Sequence, residues 1–340
     1  MSRRLLIALI LALLAIGLSQ IPAHAACSGV QVPNTANLAA VVEKYVAGTT
    51  YCLASGSFEV ATPVLFERGD KFLGASASFG ADCQVTPTGY RVCNVAASSR
   101  VIGTSSTIYV IFRYKGTGGS ATSVCRNLDI SGARRDPANN NSGYGIQAQG
   151  SVWDIQMCRV HGNANLGLGS IKGLVQNAEI DNNGVGGLDG YRGGFKAVGG
   201  NMTANRAYIH DNTGSGAWCD GCEDIDGDGP FAVTNSRIVH NTHSGIHWEI
   251  SNTSATIAGN IIQRNNWSNP APQYRAGVKV TSSRDANIFN NTFGGNVSAG
   301  FRAAKDKRGY TLANILFHGN KMDGDVIVGC GSGVTCYGNS

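Results

Sequence analysis

A short pattern of apolar and polar positions recurs along the second half of the chain. Each copy contains two apolar residues five positions apart, then an Asn and, in most copies, a Gly four positions later. The Asn residues of the copies are Asn163, Asn183, Asn212, Asn241, Asn265, Asn296 and Asn320, so that successive steps are 20, 29, 29, 24, 31 and 24 residues. A unit this short cannot bury its apolar side alone, and the repeat therefore predicts stacked coils that share one core.

A brief stretch of alternating residues follows most of these Gly residues. The stretches begin at Gly145, Gly194, Gly216, Gly245, Gly277 and Gly300. Because alternation of period two is typical of a strand with one buried face, we expect the first and third residues after each Gly to face the core. Long amphipathic helical stretches are absent, and a propeller blade needs about 40 residues. The pattern therefore predicts a coil of parallel strands, with Asn and Gly at the corners because both tolerate left-handed backbone conformations.

The N-terminal third follows the pattern less clearly. The apolar residues between Ala36 and Val46 have helical spacing and predict one amphipathic helix, residues 36–46. Short apolar stretches near Thr50, Phe58 and Val64 predict strands after it. Since a solenoid needs its open end covered, we expect this helix to be an N-terminal cap.

These features together resemble the right-handed parallel β-helix superfamily typified by pectate lyases. The resemblance covers roughly residues 34–325 and rests on the predicted helix followed by TTYCLASGSFEV, on the repeated Asn and Gly corners, and on GGFKAVGG, GAWCD and GIHWEIS in consecutive coils. It implies an all-β fold, a single-stranded right-handed parallel β-helix. It also implies a secreted protein that acts on or binds polysaccharides, since the superfamily includes lyases, hydrolases and epimerases. The Asp-Pro-His-Asp run of secreted mannuronan epimerases is missing.

Composition agrees with this fold class. Gly accounts for 46 of 340 residues, and only 14% of the residues are charged, against about 25% in an average protein. Because Gly destabilises helix interiors, this composition argues against a helical bundle or a charge-rich coiled coil. The hydrophobic content of 42% argues against a disordered chain.

The first 25 residues have the features of a secretory signal peptide. Arg3 and Arg4 precede an apolar stretch over residues 5–18, and Ala23 and Ala25 form an A-x-A cleavage signature. A membrane anchor is the alternative, but the apolar stretch is short for a span. We therefore expect one β-helix domain over residues 26–340, secreted or periplasmic, with no integral membrane span after cleavage. Removing Arg3 and Arg4 leaves 27 − 2 = 25 basic and 22 acidic residues, and this mild excess does not indicate nucleic acid as a partner. We expect a monomer whose partner is a polysaccharide.

All ten Cys residues follow the predicted signal peptide, and an exported chain meets an oxidising compartment. Proximity along the chain suggests the disulfides Cys83–Cys93, Cys219–Cys222, Cys330–Cys336 and Cys27–Cys52, although spacing does not prove a pairing. Cys125 and Cys158 are left over. For Cys219 and Cys222, a redox pair or half of a zinc site is the alternative.

The outward residues of the predicted strands carry the candidate chemistry. Equivalent positions in neighbouring coils lie about 4.8 Å apart, so they form one polar band, which we call the outward strip. Its second positions after each Gly are Gln147, Lys196, Trp218, His247, Lys279 and Arg302, and its fourth positions are Gln149, Asp220, Glu249 and Thr281. A polar strip is also what any solvated sheet face requires. The concentration of Trp218, Asp220, His247 and Glu249 in two adjacent coils favours a functional site, with an exposed Trp218 stacking on a sugar ring and with Gln147 and Gln149 as further substrate-binding residues.

Two reactions use these residue types. In β-elimination or C5-epimerisation of a uronic acid, a base removes the proton α to the carboxylate, and cations stabilise the charge that develops. Lys196 or Lys279 could be the base, because a Lys among other cations can have a lowered pKa. Arg302 or His247 could bind the uronate or act as an acid. The resemblance implies that lyases of the superfamily often use Lys or Arg in this way, frequently with calcium.

The second reaction is glycoside hydrolysis by Asp220 and Glu249, whose carboxyl groups could lie about 5–6 Å apart on adjacent coils. Structural ion pairs between Glu249 and Lys279, or between Asp220 and Lys196, are the alternative for these carboxylates. A non-catalytic carbohydrate-binding or cell-surface protein is the third hypothesis.

An acidic loop beside the outward strip is a candidate calcium site. Asp224, Asp226 and Asp228, followed by Gly229, match the first half of a calcium-binding loop. The twelfth position is Asn235, where an EF-hand has Glu, so the loop is not an EF-hand. Carboxylate oxygens could still hold calcium there, and a solvated surface turn is the alternative.

Overall fold

The computed structural model describes residues 27–116, 121–138, 142–186, 192–222, 229–267, 275–306 and 309–340. The chain forms a right-handed parallel β-helix, which confirms the predicted fold class. Each turn of the coil, here called a rung, contributes strands to three faces. In the described part of the chain, no helix has the length and hydropathy needed to span a bilayer. The predicted signal peptide lies outside the described residues.

The three faces are columns of parallel strands. Face 1 consists of β4 (Val64–Phe66), β9 (Val110–Tyr114), β12 (Tyr144–Gln147), the first halves of β15 (Leu166–Gln176) and β17 (Gly193–Asn205), β19 (Ser215–Asp220), β22 (Ile246–Glu249), β25 (Val278–Thr281), β28 (Phe301–Ala304) and β31 (Ile327–Val328). Face 2 consists of β1 (Val30–Val32), β2 (Thr50–Leu53), β5 (Lys71–Gly74), β10 (Ser123–Arg126), β13 (Val152–Gln156), the second halves of β15 and β17, β20 (Phe231–Thr234), β23 (Ala255–Ala258), β26 (Arg284–Phe289), β29 (Ala313–His318) and β32 (Val334–Tyr337). Face 3 consists of β3 (Gly56–Val60), β8 (Ser99–Gly103), β11 (Leu128–Ser131), β14 (Arg159–His161), β16 (Glu179–Asp181), β18 (Tyr208–His210), β21 (Arg237–Val239), β24 (Ile261–Gln263), β27 (Thr292–Gly294) and β30 (Lys321–Asp323).

The N-terminal helix α1 is shorter than predicted. It spans Leu38–Val42, and the side chain of Asn37 caps it by accepting a hydrogen bond from the backbone of Ala40. Leu38 and Val42 are buried in the core. After Val42 the backbone continues in a tight turn that leaves Val46 exposed, so the predicted helix 36–46 is wrong at its C-terminal end. Its role as a cap stays a prediction.

Face 3 is partly covered by an antiparallel hairpin, formed by β6 (Ala77–Val85) and β7 (Arg91–Ala97). In the sequence the hairpin lies between β5 and β8, but its side chains contact much later rungs of the coil. Asp82 at the hairpin accepts hydrogen bonds from Tyr208 and Arg237, and Thr88 donates one to Asn235. The disulfide Cys83–Cys93 connects its two strands.

A ladder of buried Asn side chains runs along the corner between face 3 and face 1. It consists of Asn163, Asn183, Asn212, Asn241, Asn265 and Asn296. Each amide nitrogen donates to the side-chain oxygen of the next Asn, and the backbone N–H of the same residue donates to that oxygen as well. Because both groups are removed from water, these bonds satisfy polar atoms that burial would otherwise leave unpaired.

The Asn-x-x-x-Gly spacing has a steric cause that the sequence analysis did not identify. A Cβ placed on Gly245 would lie 2.7 Å from the carbonyl oxygen of Gly277 and 2.8 Å from the side-chain nitrogen of Asn265. Gly is therefore needed for close approach to the ladder. The left-handed backbone falls instead on the residue before each ladder Asn, for example on Asp211 and His240, whose φ angles are 51° and 57°.

Asn320 does not belong to this ladder, so its predicted place in the repeat is wrong. It lies in a second ladder, at the corner between face 2 and face 3, with Asn260, Asn291 and Asn339. The first ladder ends at Asp325, which accepts from the side chain of Asn296. Both corners place Asn three residues after an apolar strand residue, and the sequence motif alone does not distinguish them.

Four disulfides match the pairs suggested by proximity, namely Cys27–Cys52, Cys83–Cys93, Cys219–Cys222 and Cys330–Cys336. The two remaining residues, Cys125 and Cys158, are free and buried. Burial raises the pKa of the Cys125 thiol, and the adjacent Cys158 thiol acts in the same direction. Cys219 and Cys222 are joined to each other and are thus not zinc ligands in this form.

The Asn ladder gives a stability prediction. Asn212 donates from its side chain to Asn241 and to the carbonyl of Ile180, and it accepts from the backbone and side chain of Asn183. Asn212→Ala removes these four hydrogen bonds, so at about 1 kcal/mol for each net hydrogen bond it should lower the free energy of unfolding by about 4 kcal/mol. Urea denaturation measures this. The outward-facing control Thr256→Ala should change it by less than about 0.5 kcal/mol, and equal losses would contradict the role of the ladder.

Candidate functional site

The second positions of the outward strip stack on face 1. Register pairs join Lys196 to Trp218, Trp218 to His247, His247 to Lys279, and Lys279 to Arg302. Residues separated by more than a hundred positions thereby become members of one column. The interleaved residues, including Phe195, Cys219, Trp248 and Val280, are fully buried. The predicted alternation on these strands is therefore confirmed, and Trp248 is a core residue as expected.

The Lys196 side chain contacts both Asp220 and Trp218. The Lys196 ammonium lies 2.7 Å from a carboxylate oxygen of Asp220 and 4.0 Å from the centre of the Trp218 ring. The structural alternative for Asp220, an ion pair with Lys196, is what the structure shows. Both charged groups are therefore bonded to a neighbouring rung of the same face.

Trp218 is not an exposed platform, and this expectation is wrong. Its exposed fraction is only 9%. Lys196 covers one side of the indole, and the His247 ring stacks on it at 5.8 Å between centroids, with an angle of 14° between the planes. The indole N–H donates to Glu249 at 3.0 Å. Neighbouring rungs thus cover an outward side chain that the alternation alone places in solvent.

His247 is buried between these neighbours. One ring nitrogen lies 3.2 Å from the Thr281 hydroxyl, and the other lies 3.8 Å from Glu249. Burial lowers the pKa of His247 well below its usual range, and the positive charge of Lys279 acts in the same direction. Because His247 is then neutral at pH 7, Arg302 is better suited than His247 to bind a carboxylate.

Lys279 and Arg302 form the part of the outward strip with uncommitted donors. Burial lowers the pKa of the Lys279 amine; Glu249 opposes this shift, whereas Arg275 and Arg302 add to it. Among the described residues, no carboxylate lies within 4.0 Å of this amine. The buried Nε of Arg302 has no hydrogen-bond partner in the described part of the chain.

The remaining predicted residues lie apart from this group. Gln147 is in the column, but Gly169 separates it from Lys196, and the ring of Tyr144 lies against Gly169. Gln149 follows the end of β12 in a left-handed conformation and is exposed at the corner. Its expected place on the strand is therefore wrong. Asp224, Asp226 and Asp228 lie outside the described residues.

Sequence reasoning missed two charged residues beside Lys279. Arg275 and Asp306 act on the pKa of its amine in opposite directions. Arg275 comes two residues before Gly277, and Asp306 comes two residues after β28. Both positions lie just outside the alternating strands, so counting from the Gly could not assign them.

A second cluster of charged residues was also missed. On face 3, the guanidinium of Arg159 binds both oxygens of Asp181, at 2.9 and 2.7 Å, and His210 lies 3.0 Å from Glu179. The group Glu179, Asp181 and His210 has the compact arrangement of metal ligands. Arg159 and His210 already supply two positive charges to the two carboxylates, and the hairpin β6–β7 donates to Glu179 through the backbone of Val95 at 2.6 Å. We interpret this cluster as a structural ion network.

Comparisons with known proteins add to this description. No family model and no curated protein sequence matches the chain. Among solved structures, the chain is similar to the tailspike protein gp49 of the Acinetobacter baumannii bacteriophage Fri1, a capsular polysaccharide depolymerase. The TM-score is 0.53 and the identity 11%, over 92% of this chain and 57% of that one. It is also similar to a double mutant of the periplasmic alginate epimerase AlgG, with a TM-score of 0.50 and an identity of 14%, over 92% of this chain and 75% of that one. At these identities the likeness shows the fold.

The face 3 cluster gives a pH prediction. Burial alone would lower the pKa of His210, but its hydrogen bonds to Asp211 and Glu179 outweigh burial and raise the pKa to about 9. A raised pKa means that protonated His210 stabilises the fold fully below the unfolded pKa of about 6.5 and loses this effect as the pH rises through about 9. We expect wild type to exceed His210→Asn in free energy of unfolding by on the order of 3 kcal/mol at pH 6, and by much less at pH 10. Urea denaturation across this range measures the difference, and a difference that does not vary with pH would contradict the prediction.

Proposed function

We propose that the protein acts on an acidic, uronate-containing polysaccharide outside the cytoplasm, as a lyase or C5-epimerase. The observation that carries the proposal is the Lys279 amine, whose pKa is lowered by burial beside the guanidinium of Arg302. An amine that releases its proton more readily than usual, next to a fixed cation, is the combination that abstraction of a proton α to a carboxylate requires. The predicted signal peptide and the four disulfides support action in an oxidising compartment.

Lys279 and Arg302 divide the work in this proposal. Adjacent strands of the column are about 4.8 Å apart, so one uronate can reach both side chains. Arg302 binds the sugar carboxylate through its guanidinium, and it stabilises the negative charge that develops when the C5 proton leaves. Lys279 accepts that proton. In elimination, the bond between C4 and the glycosidic oxygen then breaks, that oxygen keeps the electron pair and takes the proton from the Lys279 ammonium, and a C4–C5 double bond forms. In epimerisation, a water molecule returns a proton to C5 on the opposite side, and Lys279 releases its proton to solvent.

The comparisons support a polysaccharide as the substrate class. Two solved structures with TM-scores of at least 0.50 are described as a capsular polysaccharide depolymerase and an alginate epimerase. Their sequences are too distant to transfer a residue, and the proposed roles rest on the geometry of face 1.

Hydrolysis by Asp220 and Glu249 is less well supported. A hydrolase needs one of its two carboxyl groups protonated as the acid. Asp220 is ion-paired with Lys196 at 2.7 Å, and Glu249 accepts the Trp218 N–H. Both carboxylates are therefore already bonded to neighbouring side chains of face 1. We assign no step to calcium, because the three Asp residues predicted to hold it lie outside the described part of the chain. Its requirement is tested by adding calcium or a chelator.

The reaction is tested by incubating the protein with pectate and with alginate in deuterated water. A lyase gives unsaturated products that absorb ultraviolet light, and an epimerase incorporates deuterium at C5. New reducing ends without either signal would indicate hydrolysis and would contradict the proposal. Binding without any product would support the non-catalytic hypothesis instead.

Lys279→Met should abolish the reaction while preserving the fold. Loss of a general base typically costs about 10²–10⁴-fold in rate. Met keeps most of the volume and removes the cost of burying an ammonium, so the melting temperature should be unchanged or higher. The matched control is Lys321→Met, on the exposed end of face 3, which should retain full activity. Lys279→Met with normal activity would contradict the base assignment.

The rate should also depend on pH in a defined direction. Only the neutral Lys279 amine accepts a proton, so the initial rate should rise with pH and level off at an apparent pKa below the usual lysine value of about 10.4. Initial rates across the pH range measure this. A rate that falls as the solution becomes more alkaline would indicate an essential protonated acid and would count against Lys279.

A further inference from the structure

One of the four Trp residues differs from the others in its exposure. The exposed fractions of Trp153, Trp248 and Trp218 are 1%, 0% and 9%, whereas the exposed fraction of Trp267 is 58%. A flat aromatic ring that is open to solvent on one side can stack on the apolar side of a sugar ring.

Trp267 is also held in a fixed orientation. Its indole N–H donates to the backbone carbonyl of His240 in the preceding rung, at 2.8 Å. Asn265, two residues earlier, belongs to the buried ladder, and Asn266 donates from its side chain to Ser298 at 2.7 Å. These hydrogen bonds hold residues 265–267 against the preceding and the following rung. A ligand that stacks on the ring would therefore lose little entropy by ordering it.

Trp267 lies on the rung that carries the proposed base. It follows β24 at the corner between face 3 and face 1, and the same rung continues through Arg275 into β25 with Lys279. The charge of Arg275 acts on the Lys279 amine, so Arg275 lies near it. An aromatic ring, a guanidinium and the proposed base therefore follow one another across a single rung.

Along the solenoid axis, the side chains of the outward strip on the rungs before Lys279 are bonded to one another. There the Trp218 ring is packed between Lys196 and His247, and the Lys196 ammonium is paired with Asp220. A glycan lying along the axis would meet donors and rings that are already committed to each other. One that crosses the rungs of Lys279 and Arg302 would meet two cations that form no ion pair with a carboxylate in the described part of the chain.

From this arrangement we infer that Trp267 is a sugar-stacking subsite and that the acidic glycan crosses the solenoid roughly along the strands, at the rungs of Lys279 and Arg302. The apolar side of one pyranose ring stacks on the indole, while a neighbouring uronate lies against Arg302 and Lys279. This inference rests on the proposed acidic-glycan substrate, and it adds a binding residue and a direction for the chain.

Intrinsic fluorescence tests the subsite without requiring catalysis. Acrylamide should quench a component of the emission that comes from Trp267, because the other three indoles are buried. Trp267→Phe should remove that component. Oligogalacturonates or alginate oligomers of defined length should protect it in the wild-type protein, and they should shift its emission to shorter wavelength.

Affinity for the same oligomers gives the second readout. Trp267→Ala should weaken binding about tenfold, whereas Trp267→Phe, which keeps a ring for stacking, should weaken it much less. The matched control is Val297→Ala, which removes an apolar side chain exposed by 61% at the same corner of the next rung. It should leave the affinity unchanged. In kinetics, Trp267→Ala should raise KM with little change in kcat, because the ring does not touch the reacting atoms.

Two outcomes would overturn the inference, and they are distinguishable. If the wild-type protein binds the acidic oligomers but they neither protect Trp267 nor bind Trp267→Ala more weakly, the subsite is wrong and the proposed substrate stands. If the wild-type protein binds no acidic oligomer at all, the proposed function fails and the subsite fails with it. Protection of Trp267 together with the selective loss in Trp267→Ala supports the crossing direction.

Discussion

The buried Asn ladder is the interaction on which the rest of the structure depends. A parallel β-helix must keep successive rungs in register, because a shift by one residue would exchange the inward and outward sets of a strand. The apolar core does not set that register alone, since Val, Ile and Phe pack at many offsets. Directional hydrogen bonds between buried amides do set it, and they also exclude any side chain from the Gly residues that face them. The Asn-x-x-x-Gly motif recurs in the sequence because each rung needs both the ladder Asn and the Gly that faces it.

The same constraint creates the candidate site. Lys196 and Arg302 are more than a hundred residues apart, yet they share one column because each rung adds one outward residue at nearly the same place. The regular backbone does not make the members of that column equivalent. Some pair with each other and become structural, as Lys196 does with Asp220, and others, such as Arg302, form no ion pair with a carboxylate of the described residues. Chemistry at this face depends on which residues are left out of the internal pairing.

How far the sequence could predict this structure follows from the range of each interaction. Alternation and the Asn motif are local, and they correctly predicted the parallel coil, the buried set and the stacked column. The exposure of Trp218 depends on side chains from the rungs on either side, which alternation does not describe. Asn320 was misplaced because two corners obey the same local rule. The hydrogen bond from the hairpin to the ion network of face 3 could not be predicted, since Val95 reaches Glu179 across 84 residues of sequence.

That hairpin has a consequence for how the solenoid comes apart. In a simple repeat protein each unit touches only its neighbours, so terminal units can fray one at a time. Here Asp82 is bonded to Arg237 and Thr88 to Asn235, across 155 and 147 residues of sequence. The N-terminal coils therefore cannot unfold until the hydrogen bonds between the hairpin and the central rungs have broken. Unfolding of the N-terminal rungs is thereby coupled to unfolding of the central rungs. The solenoid should unfold cooperatively rather than one rung at a time.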